Sequence, residues 1–370
     1  MKGEIRGEKQ TRRRVLQAAA GVGAGALAAP AIATAQGRTT TWRVQTAWSG
    51  GAGLEVFREW CGSIAEKTGG QLAFEPFDPS NGVGGFKIYE ATRDGQFDAC
   101  QVFTIYSERL SPAGVFLSSY PMAMRTNAEW DVFYYGLGGL EMAREMFARS
   151  NLMFVGVIHH GPNIIHSKRP IYRIDDFRGL RMRVPGGMVS ELFSELGATT
   201  ISLPGEKIFG ALQSGEIDCA DYVGPAINYS LGFSKETRFI SMGPAGYMSV
   251  YQPVDLMDLS VNMDAWNALA PEMQAFLETE VQAYSNMHYS RIQQADQEAW
   301  GKFDADGTTV IRLSPADVDG MTKVALPIWQ KYAARDAESA EIFKTQLDYM
   351  TSGSLGYVDK VLADIITADL

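Results

Sequence analysis

A segment of eleven residues recurs once in this chain, 120 positions further on. Residues 91–101 read ATRDGQFDACQ, and residues 211–221 read ALQSGEIDCAD. In each copy a helical run stops at a glycine, which suits the left-handed C-cap of a helix, and a short apolar strand follows. A match this short does not prove duplication. Helix–glycine–strand units in both halves nevertheless predict two similar α/β lobes.

The first 35 residues have the pattern of an export signal. Three consecutive arginines, Arg12 to Arg14, precede an alanine-rich apolar run that ends in the small-residue cleavage site Ala33-Thr34-Ala35. This arrangement is typical of a twin-arginine signal and predicts a periplasmic protein. The whole chain has a net charge of −10 and this segment has +4, so the remainder carries −14. Such an acidic protein is not expected to bind nucleic acid, and no later segment is apolar enough to span a membrane.

The length of the remaining chain fits two lobes. About 335 residues follow the signal, which is more than one ordinary core holds. We predict a first lobe from residues 40–161 plus about 249–290, and a second lobe from residues 162–248 plus about 305–370. Apolar residues at helical spacing predict a long helix over residues 270–303 that spans both lobes.

The order of predicted elements in the first lobe favours parallel strands. A strand over residues 42–48 leads through the glycine-rich turn 49–53 into a helix, and a strand over residues 72–77 leads to a helix over residues 86–93. Such alternation is typical of a mainly parallel sheet, whose ligands bind beyond the carboxyl ends of the strands. We therefore expect binding loops near Trp48, residues 101–106, Asp221 and Gln252.

One predicted strand in the second lobe carries the strongest candidate for anion binding. In residues 180–185, apolar side chains alternate with Arg181 and Arg183, so both arginines face the same side. Arginine offers a permanently charged planar fork that suits a carboxylate. The pattern alone also allows solvated surface residues, and for Arg181 we prefer that interpretation.

Two oxygen-bearing side chains are candidates for a cation site. Asp221 ends a predicted strand before the turn Tyr222-Val-Gly-Pro225, and Gln252 lies in a later loop. Their oxygens are suitable ligands for a hard cation such as sodium or calcium. Capping of the turn by Asp221 is an equal alternative.

The sequence contains no motif for catalysis. No Gly-x-Ser-x-Gly elbow, Cys-x-x-Cys pair or His-Glu-x-x-His helix occurs. His159 and His160 are neighbours on a predicted strand, so their side chains face opposite ways and cannot jointly chelate one metal. The cysteines are far apart and are expected to be buried free thiols. They are Cys61, Cys100 and Cys219.

Together with the export signal, three segments resemble the solute-binding proteins of tripartite ATP-independent periplasmic (TRAP) transporters. They are Glu66-Lys-Thr-Gly-Gly70, Asp176-Phe-Arg-Gly-Leu-Arg-Met-Arg-Val-Pro185 and Leu212-Gln-Ser-Gly-Glu-Ile-Asp218. The resemblance extends from Thr41 to about Lys360. It implies an α/β, two-lobe fold like that of periplasmic binding proteins, with mixed sheets and a hinged cleft. The turn Asp221-Tyr-Val-Gly-Pro225 is most similar to the branch that binds 2-oxo and 2-hydroxy monocarboxylates such as pyruvate or lactate.

The resemblance also implies roles for individual residues. Arg183 matches the arginine that pairs with the ligand carboxylate. Tyr106, Asn163, Tyr222 and Asn228 match positions against the ligand. The implied partner is a membrane permease, no cofactor for chemistry is implied, and some relatives form homodimers through a C-terminal helix.

A sodium or calcium ion beside the ligand is implied as well. Its ligands would be Asp221, the backbone carbonyl of Tyr222, and Gln252, with Asn163 as a fourth candidate. The branch usually has glutamate at Asp221, tryptophan at Tyr222 and glutamate at Gln252. The last difference removes one negative charge, which weakens attraction for a cation at close range.

Three alternatives to a pyruvate-binding or lactate-binding TRAP protein stay open at this point. A larger or aromatic carboxylate could be the ligand of the same kind of site. Similar lobes also serve ATP-driven importers and sensors. An exported enzyme is the third alternative, because the twin-arginine route often exports proteins that have folded around a cofactor.

Overall fold

The computed structural model describes residues 39–368 and 370. The predicted export signal lies outside these residues. Within them, the strands are β1 (Thr40–Thr46), β2 (Leu72–Phe77), β3 (Ala99–Phe103), β4 (Leu152–Gly161), β5 (Ile164–Ser167), β6 (Arg181–Val184), β7 (Thr199–Ser202), β8 (Cys219–Tyr222), β9 (Phe239–Met242), β10 (Asp255–Asn262) and β11 (Thr309–Arg312).

The helices of the described chain vary widely in length. They are α1 (Gly51–Lys67), α2 (Ile88–Arg93), α3 (Asn127–Gly136), α4 (Gly139–Ala148), α5 (Gly187–Glu195), α6 (Ile208–Ser214), α7 (Pro225–Ser230), α8 (Phe233–Glu236), α9 (Met263–Asn267), α10 (Pro271–Ala305), α11 (Pro315–Ala333), α12 (Ala337–Thr351) and α13 (Lys360–Thr367). Short 3-10 helices occupy Gly85–Lys87, Thr104–Arg109, Pro112–Phe116, Ile174–Phe177 and Gly205–Lys207. No helix in this part of the chain combines the length and the apolar composition that a membrane span requires.

The strands form two mixed sheets. Sheet 1 has the order β2-β1-β3-β10-β4, and sheet 2 has the order β11-β9-β5-β8-β6-β7. In sheet 1, β1 runs parallel to β2 and β3, whereas β10 is antiparallel to β3 and β4. In sheet 2, β5 is antiparallel to both of its neighbours. The sheets are therefore mixed, as the family resemblance implied. In sheet 1 every strand except β10 runs in the same direction, which agrees with the prediction of a mainly parallel sheet in the first lobe. The reversed strands, β10 in sheet 1 and β5 in sheet 2, each enter a sheet immediately after the chain has left the other sheet.

The strands of each sheet come from chain segments that were predicted to form one lobe. Sheet 1 takes its strands from residues 40–161 and 255–262, and sheet 2 takes them from residues 164–242 and 309–312. The division into lobes stays a prediction, which this membership supports. The chain crosses between the sheets at Pro162-Asn163, again in residues 243–254, and a third time through residues 263–308.

The longest helix contacts elements of both halves. Helix α10 contains 35 residues and therefore extends about 52 Å. It packs on β4 of sheet 1 and on α7, which follows the last residue of β8 in sheet 2. Its buried side chains, among them Leu277, Val281 and Tyr284, recur at the spacing that one face of a helix requires. Its bounds differ from the predicted 270–303 by only one or two residues.

Two helices, α11 and α12, form most of the C-terminal region, and Pro327 lies inside α11. Helix α11 packs on α5 of the second half, and α12 packs on the 3-10 helix Pro112–Phe116 of the first. The indole nitrogen of Trp329 donates to the carbonyl of Pro121 at 2.9 Å. These helices therefore contact both halves instead of completing only the second.

The two copies of the recurring segment have the same local structure. Gly95 follows α2 with a φ of 77°, and Gly215 follows α6 with a φ of 76°. These left-handed conformations favour glycine. A 3-10 turn precedes each helix, at Gly85–Lys87 and at Gly205–Lys207. The structure thus supports the internal repeat that the sequence only suggested.

Candidate functional site

A small buried cavity lies where strands of the two sheets end. It is lined by Phe103, Ile105, Tyr106, Asn163, Arg183, Pro185, Asp221, Tyr222, Val223 and Asp255. Strands β3, β6 and β8 deliver their carboxyl ends to it, as expected for ligand sites of α/β sheets. Its volume is about 10 Å³, close to the least that holds one water molecule. A ligand of several heavy atoms therefore needs side chains to turn or the two sheets to separate.

Arg183 is the charged centre of this site. It is 1% exposed, although it lies near the end of a strand. Its Nε donates to the carbonyl of Leu203 at 2.8 Å, and its Nη1 donates to the carbonyl of Asp221 at 2.6 Å. Its Nη2 lies 3.5 Å from the hydroxyl of Tyr106, and its Cζ lies 5.3 Å from the ring centre of Tyr222. A buried guanidinium held on two carbonyls keeps one edge directed at the cavity, where a carboxylate can pair with it.

Arg181 has a different environment on the same strand. Its side chain is 47% exposed and forms an ion pair with Asp218, with Nη2 2.7 Å from Oδ1. In the first half of the molecule, Arg43 and Asp98 form the equivalent pair between β1 and the turn before β3. Arg181 is therefore part of a structural pair that both halves share, which confirms its interpretation as a surface residue.

In the first half, the position that corresponds to Arg183 is occupied by a polar but neutral residue. Two residues after Arg43 stands Gln45, whose Nε2 donates to the carbonyl of Val83 at 2.5 Å. This bond parallels the one from Arg183 to the carbonyl of Leu203, since Val83 and Leu203 are 120 residues apart. In each half, a polar side chain on a strand therefore holds the segment that leads into the helix of the repeat. Only in the second half is that side chain charged.

Asp221 is a buried carboxyl group beside Arg183. The hydroxyl of Tyr251 donates to its Oδ1, and its Oδ2 lies 3.7 Å from Nη1 of Arg183. Oδ2 has no hydrogen-bond partner among the described residues. Burial raises the pKa of Asp221 to about 7, although the charge of Arg183 and the bond from Tyr251 both lower it. Desolvation thus outweighs the neighbouring arginine, and a second cation or a proton would stabilise this carboxyl group.

An amide and a second carboxyl group complete the opposite wall. Asn163 lies between the sheets, and its Nδ2 donates to Oε1 of Gln252 at 3.0 Å and to Oδ2 of Asp255 at 3.1 Å. Its Oδ1 is buried without a partner in the described part of the chain. Gln252 itself does not line the cavity, because its Nε2 donates to the carbonyl of Ser119. Gln252 therefore affects the site through the hydrogen bond that it accepts from Asn163.

Asp255 is the residue that the sequence analysis missed. It begins β10, is 3% exposed and lines the cavity. Ser118 donates to its Oδ1 at 3.0 Å, and Nε2 of His160 lies 3.6 Å from its Oδ2. The signal that could have identified it is an acidic residue at the start of an apolar strand, three positions after Gln252.

The donor set fits a hard cation better than a transition metal. Within residues 39–368 and 370, no group of three or more histidine, cysteine or acidic side chains is arranged to hold a metal ion. The cavity does combine two carboxyl groups, Asp221 and Asp255, with the unpaired Oδ1 of Asn163. Oxygen atoms of this kind are the ligands that sodium and calcium take.

Asn228 lies behind the cavity and not in its wall. Its Nδ2 donates to the carbonyl of Val223 at 2.5 Å and contacts Nε2 of His166 at 3.0 Å. Burial lowers the pKa of His166 to about 3, so the ring is neutral and Nε2 can accept. Asn228 therefore holds the turn that follows β8, the strand on which Asp221 and Tyr222 lie.

The 3-10 turns that precede the two copies of the repeat contact each other at the edge of the site. Oε1 of Glu206, in the turn before the second copy, accepts a hydrogen bond from the backbone N–H of Gly85 at 3.1 Å. Gly85 belongs to the matching turn before the first copy. This bond joins the two halves of the molecule at the edge of the site.

Comparisons with known proteins agree with this architecture. The model of DctP, bacterial extracellular solute-binding protein, family 7, matches residues 51–336. A monocarboxylate 2-oxoacid-binding periplasmic protein of Nostoc sp. is 27% identical over 305 residues, which are 82% of each chain.

Solved structures share the fold at low sequence identity. A TRAP periplasmic solute-binding protein of Colwellia psychrerythraea with bound calcium and pyruvate has a TM-score of 0.75 at 20% identity, over 84% of this chain and 94% of that one. One from Bordetella bronchiseptica, a mixed-occupancy dimer with calcium and picolinate, has a TM-score of 0.74 at 23% identity, over 84% and 91%. Likeness at this level of identity establishes the fold.

Proposed function

This chain belongs to the DctP family of bacterial extracellular solute-binding proteins, and we propose that it delivers a small monocarboxylate such as pyruvate or lactate to a TRAP membrane permease. The observation that carries the proposal is Arg183, a buried guanidinium between the two sheets that lines a cavity. The Nostoc relative, named for binding 2-oxo monocarboxylates, supports this ligand class. The family and its relatives are solute-binding receptors, so the alternative of an exported enzyme is set aside.

Each wall of the cavity has a role in this proposal. Arg183 fixes the ligand carboxylate through charge-assisted hydrogen bonds. Tyr106 and Tyr222 exclude water. The hydroxyl of Tyr106 lies near the guanidinium, and the hydroxyl of Tyr222 is buried without a partner in the described chain. Asn163 supplies an unpaired amide oxygen from the opposite wall. Asn228 acts indirectly, by holding the turn that follows Tyr222.

A cation beside the ligand follows from the charges of the site. Arg183 carries +1, and Asp221 and Asp255 together carry −2 when both are ionised, so a bound carboxylate would bring the site to −2. Calcium would return that sum to zero, whereas sodium would leave −1. Burial of uncompensated charge is costly, so we propose that calcium is the better partner. Its ligands would be Asp221, Asn163 and Asp255, together with the carbonyl of Tyr222, and Gln252 would act by orienting Asn163.

Substitution of Gln252 tests this cation site. Gln252→Glu restores the carboxylate usual in the monocarboxylate branch, so we expect calcium to bind about tenfold more tightly, as measured by calorimetry with calcium chloride alone. Asp255→Asn should weaken the binding of calcium by a similar factor. Equal calcium affinity in the wild type and in Asp255→Asn would remove Asp255 from the site.

The ligand is best identified by a thermal-shift screen. Pyruvate, lactate and picolinate would be compared with and without calcium or sodium, because a ligand that binds only the folded state raises the melting temperature. We expect pyruvate or lactate to give the largest shift, since the cavity is small. A larger shift with picolinate that disappears in Arg183→Gln would favour an aromatic carboxylate as the ligand of this site, and no shift with any carboxylate would contradict the proposal.

Export and assembly complete the proposal. We propose that residues 1–35 direct the protein to the periplasm by the twin-arginine route, and that replacing Arg12 and Arg13 with lysine retains it in the cytoplasm. Homodimerisation through the C-terminal helix stays a proposal as well. On α13, Val361 and Ile365 are 67% and 61% exposed. If this face pairs with a second copy, Val361→Glu should convert a dimer to a monomer in light scattering.

A further inference from the structure

A second cavity lies on the crossing segment between the sheets, away from the carboxylate site. Three parts of the chain enclose it, namely residues 122–125, residues 244–253 and the start of α11 at residues 315–319. Its volume is about 340 Å³, far larger than that of the cavity beside Arg183. We call it the hinge cavity. A neighbouring space of about 490 Å³, lined in part by α10, shares Arg125, Tyr247 and Pro253 with it.

Arg125 is the charged group of the hinge cavity. It lines both spaces, and its guanidinium lies over the ring of Tyr357, with Cζ 3.9 Å from the ring centre. It is half-buried, and it forms no ion pair with any residue that the structure describes. The acid that lines this cavity, Asp319, is exposed at its rim, where solvent screens it. The buried carboxylate of Glu129 accepts hydrogen bonds from the backbone N–H of Arg125 and from the hydroxyl of Tyr357, so it lies beside the same ring without forming an ion pair with the guanidinium. The guanidinium of Arg125 can therefore pair with an anion in the cavity.

The remaining walls of the hinge cavity are largely apolar. Val318 and Val250 face it from two different segments, and proline rings contribute at residues 244, 253 and 315. Apolar walls with one well-placed charge are typical of small-molecule sites. The cavity is also large enough for an aromatic ring together with a carboxylate.

The wall of the hinge cavity is connected to the carboxylate site. Tyr251 lines the cavity, its hydroxyl donates to Asp221, and its carbonyl accepts from the backbone N–H of Met122 at 2.8 Å. Met122 has a φ of 64°, a left-handed conformation that is strained for this residue type. Strained residues cluster at ligand sites and switch regions. A molecule in the hinge cavity would therefore contact the same side chain that holds Asp221.

We propose that the hinge cavity is a second ligand site, which binds an aromatic carboxylate through Arg125 and its apolar walls. Binding at Arg125 does not require a ligand at Arg183, although Tyr251 contacts both sites. Benzoate is a suitable probe, and benzamide is a control of nearly the same shape without the charge.

The test measures binding of benzoate and benzamide to the purified protein by saturation-transfer NMR titration. We expect Arg125→Gln to weaken benzoate binding about tenfold, and benzamide to bind the wild type weaker by a similar factor, because each change removes one charge-assisted pair. Val318→Phe fills the cavity without changing Arg125 and should weaken benzoate equally. Arg183→Gln should leave benzoate affinity unchanged.

Three results would overturn the proposal. Benzoate affinity could be unaltered in Arg125→Gln and in Val318→Phe, it could be lost in Arg183→Gln, or benzamide could bind as tightly as benzoate. The second result would place benzoate in the carboxylate site. Circular dichroism and melting curves establish that each variant is folded, and Val318→Phe keeps the test decisive if Arg125→Gln does not fold.

Discussion

Replacement of Arg183 by glutamine tests the proposed ligand site most directly, because the same strand supplies a matched control. Arg183 is 1% exposed and is held by the carbonyls of Leu203 and Asp221. Arg181, two residues earlier, is exposed and paired with Asp218. Both substitutions remove one positive charge from one face of β6. Only Arg183→Gln removes it from the cavity.

The expected loss follows from the burial of Arg183. A hydrogen bond between charged groups contributes about 1.5–3 kcal/mol, and truncation of one partner of a buried charge pair costs about 2–5 kcal/mol. Taking about 3 kcal/mol, Arg183→Gln should weaken pyruvate binding about 150-fold. Arg181→Gln should change it less than threefold, since an exposed ion pair contributes at most about 1 kcal/mol even to stability.

Stability gives an independent check on the same variants. Without Arg183, the pKa of Asp221 should rise further above about 7, because the arginine is the charge that lowers it. Asp221 would then be neutral near pH 7, which limits the cost of leaving it buried. We therefore expect Arg183→Gln to fold with a lowered melting temperature, as judged by calorimetry and circular dichroism. A folded Arg183→Gln variant that binds pyruvate within threefold of the wild type would refute the reasoning, and so would an equal loss in Arg181→Gln.

Three further predictions concern other parts of the molecule. Burial raises the pKa of Asp258 from its ordinary 3.8 to about 7; the folded state therefore holds this proton more tightly, and the associated stability, complete below about pH 4, is lost as the pH rises through 7. The melting temperature should accordingly fall between about pH 4 and 7, and less steeply in Asp258→Asn, whereas equal slopes would contradict the assignment. All three cysteines are buried and free, and burial raises the pKa of each thiol, so iodoacetamide should modify none in the native protein and all three in denaturant. Glu206→Ala removes the bond to Gly85 that joins the two halves, so pyruvate should dissociate several-fold faster in stopped-flow measurements, and an unchanged rate would show that this bond does not hold the closed form.

The features that the sequence predicted best depend on local patterns. The long helix and the glycine cap at Gly215 follow from spacing and backbone conformation within a few turns of chain. The placement of Arg183 in a binding cavity needed more, because Arg181 has the same pattern and only the family resemblance separated them. The structure adds the physical reason. Arg181 is paired with Asp218, and the first half contains the equivalent pair of Arg43 and Asp98.

The features that the sequence could not predict depend on contacts between distant segments. Asp255 looks like an ordinary strand residue until β10 is placed between β3 and β4, where it meets Asn163 from the other crossing. The hinge cavity likewise requires three segments that are far apart in the chain. Pro327 differs from the usual sequence rule, since proline normally marks a helix boundary, yet α11 continues through it. Packing of Trp329 against Pro121 holds that part of the helix in place.

The position of β10 in sheet 1 has a consequence for the order in which this protein folds during synthesis. Strand β10 separates β3 from β4, so sheet 1 cannot close until residue 262 has left the ribosome. By then five of the six strands of sheet 2 have emerged, and only the edge strand β11 is still missing. We therefore expect the half that is second in sequence to acquire a nearly complete sheet first, while the N-terminal strands wait as an unfinished, chaperone-accessible intermediate.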